Sequence, residues 1–322
     1  MEPIRLGTSG LQVSRIALGC MSFGKPGSGN HGWVLDRDAA KPIFLQALDL
    51  GITFWDTANA YAAGTSEEVV GHAIRTYARR EEIVLATKVF GPMGAGPGGA
   101  GLSRAAILQQ VDASLRRLGT DYIDLYQIHR FDAQAPIEET MRALDDIVRA
   151  GKVRYIGASS MWAWQFATMQ HVAETNGWTK FISMQSQYSL LQREEEREML
   201  PLLAHQGVGS IPWSPLARGR LTRPWGTQTR RSETDQFGRG LYLDSDRHIV
   251  ETVERVAQAR GVPMAQVALA WTLRNPVVAA PIVGATKPAH LTDAAAAVHL
   301  SLDDAERSQL NEPYTPRMPT GF

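Results

Sequence analysis

The sequence lacks several features that are typical of disulfide-rich, secreted, membrane or nucleic-acid-binding proteins. It has a single cysteine, Cys20, so no intrachain disulfide can form. Lysine plus arginine and aspartate plus glutamate number 33 each, and this balance predicts neither a nucleic-acid nor a membrane partner. No apolar run reaches membrane-spanning length, and residues 1–5 show no signal-peptide pattern. These absences predict a reduced, soluble, cytoplasmic protein.

The pattern that is present is a strict alternation of strand-like and helix-like segments. After a hairpin over residues 4–13, the candidate strands are 15–19, 53–56, 83–89, 122–129, 153–159, 181–187, 209–212 and 279–283. The candidate helices are 37–50, 66–79, 103–118, 137–150, 161–176, 193–206, 247–260, 263–274 and 288–298. Eight strand–helix units in series predict an α/β fold, a (β/α)8 TIM barrel with an N-terminal β-hairpin and long rim loops, as one domain over residues 1–322.

Several local signals refine this picture. Residues 65–68 read as a capping box, and residues 193–197 as a solvated helix start. The polar, patternless segment 222–245 predicts a long rim loop of the kind that forms lids. Residues 94–99 match G-x-G-x-x-G, but they lie mid-chain in a loop containing Pro97, which favours a rim loop over a Rossmann turn.

Four polar residues, Asp56, Tyr61, Lys88 and His129, lie at or just after the ends of three successive predicted strands. Because the carboxyl ends of parallel strands share one rim, these side chains are expected to lie together. A lysine ammonium stabilises a phenolate, so Lys88 would make Tyr61 a better acid, and Asp56 would hold the ammonium. His129 would donate a hydrogen bond to a substrate oxygen and share in proton delivery. Each residue alone also has an ordinary structural interpretation, as a turn cap, an ion pair, a surface aromatic or a core histidine.

The stretches around these residues resemble the aldo-keto reductase superfamily. The matching segments are residues 6–14, Asp56–Tyr61, Ala86–Lys88 and Leu125–His129. The resemblance implies a barrel enzyme that reduces an aldehyde or ketone with NADPH, in which Tyr61 is the acid. Residues 29–33, 155–161, 188–198 and 211–219 resemble a microbial branch that includes proteins named aryl-alcohol dehydrogenases and 1-deoxyxylulose-5-phosphate synthases.

The same resemblance implies a cofactor cradle. Ser159, Ser160 and Gln185 would hold the nicotinamide carboxamide, although Ser160 stands where the family has asparagine, and Trp213 would stack on the nicotinamide ring. The pyrophosphate loop would run from Ser214 through Leu216 and Arg218 to Gly219; Arg218 pointing to solvent is an equal alternative. In the loop that begins at Gly284 after the last strand, Thr286 and Lys287 would bind the 2′-phosphate of NADPH, so NADH is the less favoured cofactor. His290 stands where many relatives carry arginine or glutamine, and Asp293 replaces the glutamate that usually contacts adenine.

The substrate pocket is expected to use rim aromatics. The candidates are Phe23, Trp33, Phe90 and Trp162. The expected partner is a small-molecule carbonyl compound, and a monomer would suffice as the oligomeric state. No tyrosine has a lysine four residues later, as a short-chain dehydrogenase needs, and the scattered histidines predict no metal site. Two alternatives stay open: a cofactor-binding sensor or regulatory subunit with little turnover, and an enzyme that acts on a sugar phosphate such as a pentulose phosphate.

Overall fold

The computed structural model describes residues 1–29, 33–228, 235, 238 and 240–319. Its strands are β1 (Pro3–Arg5), β2 (Gln12–Ser14), β3 (Ala17–Gly19), β4 (Phe54–Asp56), β5 (Val84–Val89), β6 (Ile123–Ile128), β7 (Val153–Ser159), β8 (Phe181–Gln185), β9 (Gly209–Ser210) and β10 (Ile282–Gly284). Strands β3 to β10 form one parallel sheet in the order β10-β3-β4-β5-β6-β7-β8-β9.

Backbone hydrogen bonds close this sheet into a barrel. The amide of Ala279 donates to the Ser210 carbonyl oxygen at 2.8 Å, and the amide of Ile282 donates to Pro212 at the same distance. These bonds join the segment after β9 to the segment that enters β10. The predicted (β/α)8 barrel is therefore confirmed, and its strand ends share one rim.

Helices cover the outside of the barrel. They are α1 (Arg37–Asp49), α2 (Thr65–Tyr77), α3 (Arg104–Leu118), α4 (Ile137–Arg149), α5 (Ala163–Thr175), α6 (Met199–Gln206), α7 (Arg247–Arg260), α8 (Met264–Leu273), α9 (Pro288–Ala297) and α10 (Asp304–Asn311). The larger hydrophobic core lies between these helices and the strands. No helix within the described ranges is long and apolar enough to cross a membrane.

The predicted N-terminal hairpin is confirmed and lies at the amino-terminal end of the barrel. Strands β1 and β2 pair in antiparallel register, with Ile4 opposite Val13. The fully buried Leu6 belongs to the inner core cluster, together with Phe54 and Leu125 from the strands. The hairpin thus fills this end of the barrel with apolar side chains and leaves the carboxyl rim for polar ones.

Three local predictions need correction. The capping box at residues 65–68 does not form, because the N-cap of α2 is Gly64 and the Thr65 hydroxyl donates to the Ala62 carbonyl oxygen instead. Residues 194–196 form a short 3₁₀ helix in which Glu195 is buried, so this segment is only partly solvated. Helix α10 was not expected, although Asp303 and Glu306 form a reciprocal capping box that its sequence carries.

Candidate active site

The structure brings the four predicted rim residues together. Lys88 Nζ lies 2.6 Å from Asp56 Oδ2 and 3.1 Å from the Tyr61 hydroxyl. The rings of Tyr61 and His129 meet edge to face, with centroids 5.6 Å apart. Asp56 closes β4, Lys88 lies near the end of β5 and His129 directly follows β6, so all three lie at the carboxyl rim of the barrel.

Lys88 is fully buried, and its ammonium group is fully hydrogen-bonded. Besides Asp56 and Tyr61, it donates to the Thr57 carbonyl oxygen at 2.8 Å. Burial by itself lowers the pKa of Lys88, but the attraction of Asp56 and Tyr61 outweighs it and raises the pKa above the usual lysine value. The ammonium therefore persists at neutral pH and presents a fixed positive charge to the tyrosine oxygen.

His129 has the opposite electrostatic environment. Burial, followed by the positive charges of Lys88 and Arg130, holds the pKa of His129 well below its usual range. Its imidazole is therefore neutral near pH 7, with one N–H available as a donor. This arrangement favours hydrogen bonding to a substrate oxygen over proton release as the role of His129.

Sequence reasoning missed Gln127, which forms a second layer of polar side chains beneath Asp56 together with the predicted Gln185. Gln127 of β6 donates to Asp56 Oδ1 at 2.9 Å, and Gln185 of β8 donates to the same oxygen at 3.0 Å. The available signal was a glutamine near the end of β6, between the apolar Tyr126 and Ile128 and two residues before His129. Such a buried amide needs polar partners inside the barrel.

The predicted nicotinamide contacts also lie together. Ser159 Oγ donates to the main-chain carbonyl oxygen of Gln185 at 2.9 Å. The indole N–H of Trp213 donates to Ser160 Oγ at 3.0 Å. Ser160 thereby holds the indole of Trp213 through a hydrogen bond. Gln185 is 2% exposed and Trp213 half-buried, so the indole is the more accessible of the two.

The loop predicted to bind pyrophosphate has an unusual backbone. Ser214 has φ +52°, and Arg218 and Gly219 have φ +55° and +96°. The Arg218 guanidinium is buried and donates to Asp235, which excludes the solvent-facing alternative. Half-buried Leu216 packs against the outer core. Of the 222–245 segment, the positions from 229 to 239 other than 235 and 238 lie outside the described residues.

The loop after β10 leads into α9, which begins at Pro288. Gly284, Thr286, Lys287 and His290 are exposed there. Burial, Lys287 and Arg223 lower the pKa of His290, so this imidazole is neutral at pH 7 and accepts from the Thr286 amide at 3.4 Å. Arg223 is a second cation at this loop that sequence reasoning missed.

Asp293, one turn further along α9, faces the neighbouring helix. Its Oδ1 accepts a hydrogen bond from Gln266 Nε2 of α8 at 3.1 Å. The carboxylate is half-buried, so only part of it is accessible beside the loop after β10.

The predicted aromatic residues do not all reach the surface of the rim. Phe23 is fully buried, with its ring 4.8 Å from that of Phe44, so it belongs to the core and offers no accessible pocket wall. Trp33 is 9% exposed, Phe90 is half-buried and Trp162 is 41% exposed. Residues 30–32, which precede Trp33 in the loop after β3, lie outside the described residues.

Left-handed backbone is concentrated around this rim. Among the described residues, the non-glycine positions with positive φ are Ala62, Ala63, Ser160, Ser214, Ala217 and Arg218. All lie in segments that follow the carboxyl ends of barrel strands, after Asp56, Ser159 or Trp213. L-residues avoid this conformation at a cost of about 1–2 kcal/mol each, and such strain is commonly found at functional sites.

Comparison with known proteins agrees with the geometry. A sequence profile described as "Aldo/keto reductase family" matches residues 15–314. Versiconal hemiacetal acetate reductase of Aspergillus parasiticus is 45% identical, over 98% of each chain. An aldo-keto reductase of Alternaria alternata is 44% identical, over 98% of this chain and 92% of its own. A Schizosaccharomyces pombe protein provisionally named an aryl-alcohol dehydrogenase is 46% identical, over 97% of this chain and 95% of its own.

The closed parallel barrel with a polar cluster at its carboxyl rim defines the class: a TIM-barrel oxidoreductase. The chain belongs to the aldo/keto reductase family. The predicted resemblance to the branch that contains aryl-alcohol dehydrogenases is likewise confirmed.

Proposed function

We propose that the protein reduces an aldehyde or ketone to an alcohol with NADPH, and that Tyr61 is the general acid. The observation that carries this proposal is the buried Lys88 ammonium, held by Asp56 and lying 3.1 Å from the Tyr61 hydroxyl. A fixed positive charge at this distance stabilises phenolate, the form that tyrosine adopts after it gives up its proton.

A nicotinamide dinucleotide held by Ser159, Ser160, Gln185 and Trp213 would supply the hydride for the carbonyl carbon. Tyr61 donates its hydroxyl proton to the carbonyl oxygen, and the resulting phenolate is stabilised by Lys88 until solvent restores the proton. Neutral His129 donates a hydrogen bond to the same oxygen and orients the carbonyl towards Tyr61. Asp56 keeps Lys88 in place without taking part in proton transfer.

The residues present fit a nicotinamide dinucleotide. The indole of Trp213 is held in one plane by Ser160, as a stacking surface requires. The loop after β10 enters the N-terminus of α9 with Lys287 exposed and Arg223 nearby, and both cations suit a phosphate group. We therefore assign the nicotinamide end to Ser159, Ser160, Gln185 and Trp213, and the 2′-phosphate end to Thr286 and Lys287.

The proposed substrates are aryl or other apolar carbonyl compounds. Exposed Trp162 and half-buried Phe90 lie on loops that directly follow β7 and β5, the strands that carry Ser159 and Lys88. Flat apolar surfaces suit aromatic substrates. The names of two relatives, an aryl-alcohol dehydrogenase and the reductase of versiconal hemiacetal acetate, are consistent with this class.

The test is NADPH oxidation by the purified protein with aromatic aldehydes, methylglyoxal and sugar phosphates. We expect turnover with an aromatic aldehyde, and Tyr61→Phe should reduce kcat about 100-fold or more, the usual contribution of a general acid. Tyr77→Phe, a tyrosine in α2 away from the rim, serves as the matched control. Full activity in Tyr61→Phe would contradict the assignment of the acid, and NADPH binding without turnover on any substrate would favour a sensor instead.

A further inference from the structure

Two buried glutamines connect the catalytic carboxylate to the predicted cofactor contact. Asp56 Oδ1 accepts from Gln127 Nε2 at 2.9 Å and from Gln185 Nε2 at 3.0 Å. Gln185 Nε2 also donates to Gln127 Oε1 at 3.1 Å. All three side chains are at most 2% exposed, and they come from the alternate strands β4, β6 and β8.

Hydrogen-bond chemistry fixes the orientation of both amides. An ionised carboxylate only accepts, so Asp56 Oδ1 must face the NH2 group of each glutamine. With its NH2 group on Asp56, Gln127 has its oxygen free to accept from Gln185. Rotation of either amide by 180° would place two acceptors in contact inside a buried site, where an unmade hydrogen bond is costly.

This arrangement leaves the Gln185 side chain with one hydrogen-bonding atom for a ligand, an acceptor. Both N–H bonds of its side-chain amide are occupied, one by Asp56 and one by Gln127, so only the side-chain oxygen Oε1 is available to a ligand. That oxygen accepts from a donor and rejects an acceptor. The NH2 group of a carboxamide is such a donor.

We propose that Gln127 is a positioning residue that couples the acid site to the nicotinamide site. Gln127 holds Asp56 Oδ1, so that Oδ2 faces Lys88. It also orients the Gln185 side chain, so that its oxygen Oε1 faces the carboxamide of a bound nicotinamide. The proposal rests on the proposed function, since it needs a nicotinamide at Gln185. It assigns a residue that the four-residue site leaves out.

The first test is Gln127→Glu, because its effect depends on pH. A protonated carboxyl group at this position donates to Asp56 and accepts from Gln185, so it reproduces both hydrogen bonds. An ionised one opposes Asp56 directly. The charged groups of this network are Asp56 and Lys88, and Lys88 in turn contacts Tyr61, whose ring lies against His129. Relative to wild type, kcat should be near normal at low pH and fall about tenfold or more as the new carboxyl ionises.

The second test is Gln127→Leu, which removes both hydrogen bonds at every pH. NADPH binding, followed by fluorescence, should weaken about tenfold, since the Gln185 amide then keeps only its hydrogen bond to Asp56 and is held less firmly. Gln170→Leu is the matched control, because Gln170 is also buried and makes two hydrogen bonds, both to Phe181. The control should lose stability while its NADPH affinity and the pH dependence of kcat stay as in wild type.

Each outcome is decisive. A pH-dependent loss in Gln127→Glu together with weaker binding in Gln127→Leu supports the coupling. Folded variants with wild-type affinity and pH profile would overturn it while leaving the reductase function intact. A wild-type protein that neither binds NADPH nor reduces any carbonyl would overturn the proposed function and this inference with it.

Discussion

Lys88 is the residue on which the most interactions of the site converge. It is fully buried and donates to Asp56, Tyr61 and the Thr57 carbonyl oxygen. Its role in stability and its proposed role in catalysis arise from the same charge, but they respond differently to mutation. Stability needs the charges of Lys88 and Asp56 to balance, whereas the proposed chemistry needs the ammonium itself.

Replacement of Lys88 should separate these two roles. Lys88→Met leaves Asp56 as a buried carboxylate without its cation, which should lower the free energy of unfolding by about 3–5 kcal/mol. It also removes the charge that stabilises the Tyr61 phenolate, so kcat should fall about 100-fold or more. Urea unfolding and NADPH oxidation measure the two effects.

The double variant Lys88→Met with Asp56→Asn provides the control. It removes both charges, so most of the lost stability should return while activity stays low. Recovery of activity together with stability would contradict the role of the ammonium.

At the scale of the structural element, the segment Glu194–Glu196 contains a carboxyl group in an unfavourable environment. Burial, only partly offset by the Ser186 hydrogen bond, raises the pKa of Glu195 to about 7, from 4.5 for an unperturbed glutamate. Between these pH values the folded protein keeps a proton that the unfolded chain has lost. Stability must therefore fall as the pH rises from 4.5 towards 7.

Glu195→Gln should remove this pH dependence. The variant should match wild type near pH 4 and exceed its free energy of unfolding at pH 8 by roughly 3 kcal/mol, since one pKa unit corresponds to about 1.4 kcal/mol. Denaturant unfolding at both pH values gives the difference. Glu198→Gln, at an exposed neighbouring position, is the control. An equal gain in stability for both variants would show that the gain does not arise from the burial of Glu195.

Apart from α10 and the start of α6, the elements were predictable from the sequence to within a few residues, because hydrophobic periodicity reports directly on buried faces. Strand ends such as Asp56 were visible for the same reason, since a charged residue interrupts an apolar run. The left-handed turns at Ser160 and Ser214 were not predictable, because no local propensity favours serine there. The contacts of Gln127 and Arg223 depend on which distant segments meet, and periodicity along one chain does not report this.

At the scale of the whole molecule, the hairpin at the amino-terminal end of the barrel is a packing element with very little free space. Gly7 has φ +60°, and a Cβ added there would overlap the Gly207 carbonyl oxygen and lie 2.7 Å from the Gly209 amide nitrogen. The backbone of the hairpin therefore contacts the backbone that enters β9 directly. No side chain of any size fits between them.

Gly7→Ala should consequently destabilise the entire barrel. We expect a loss of at least about 2 kcal/mol, from left-handed strain together with overlap in a packed interior. Gly27→Ala is the matched control, because Gly27 also has positive φ (+81°) but no atom lies within 4 Å of the position that a Cβ would take there. Strain alone should cost this control about 1 kcal/mol. Thermal unfolding compares the two, and equal losses would show that the close contact is unimportant.

The concentration of left-handed residues at one rim has an evolutionary consequence. Glycine at Ala63 or Ser160 would relieve backbone strain, so selection for thermal stability alone would be expected to replace these residues. We expect selection for activity to preserve their side chains and the rigidity that they give to the turns beside Tyr61 and Trp213. Laboratory evolution towards heat resistance, without a screen for turnover, should therefore accumulate glycine at this rim and leave the amino-terminal end of the barrel unchanged.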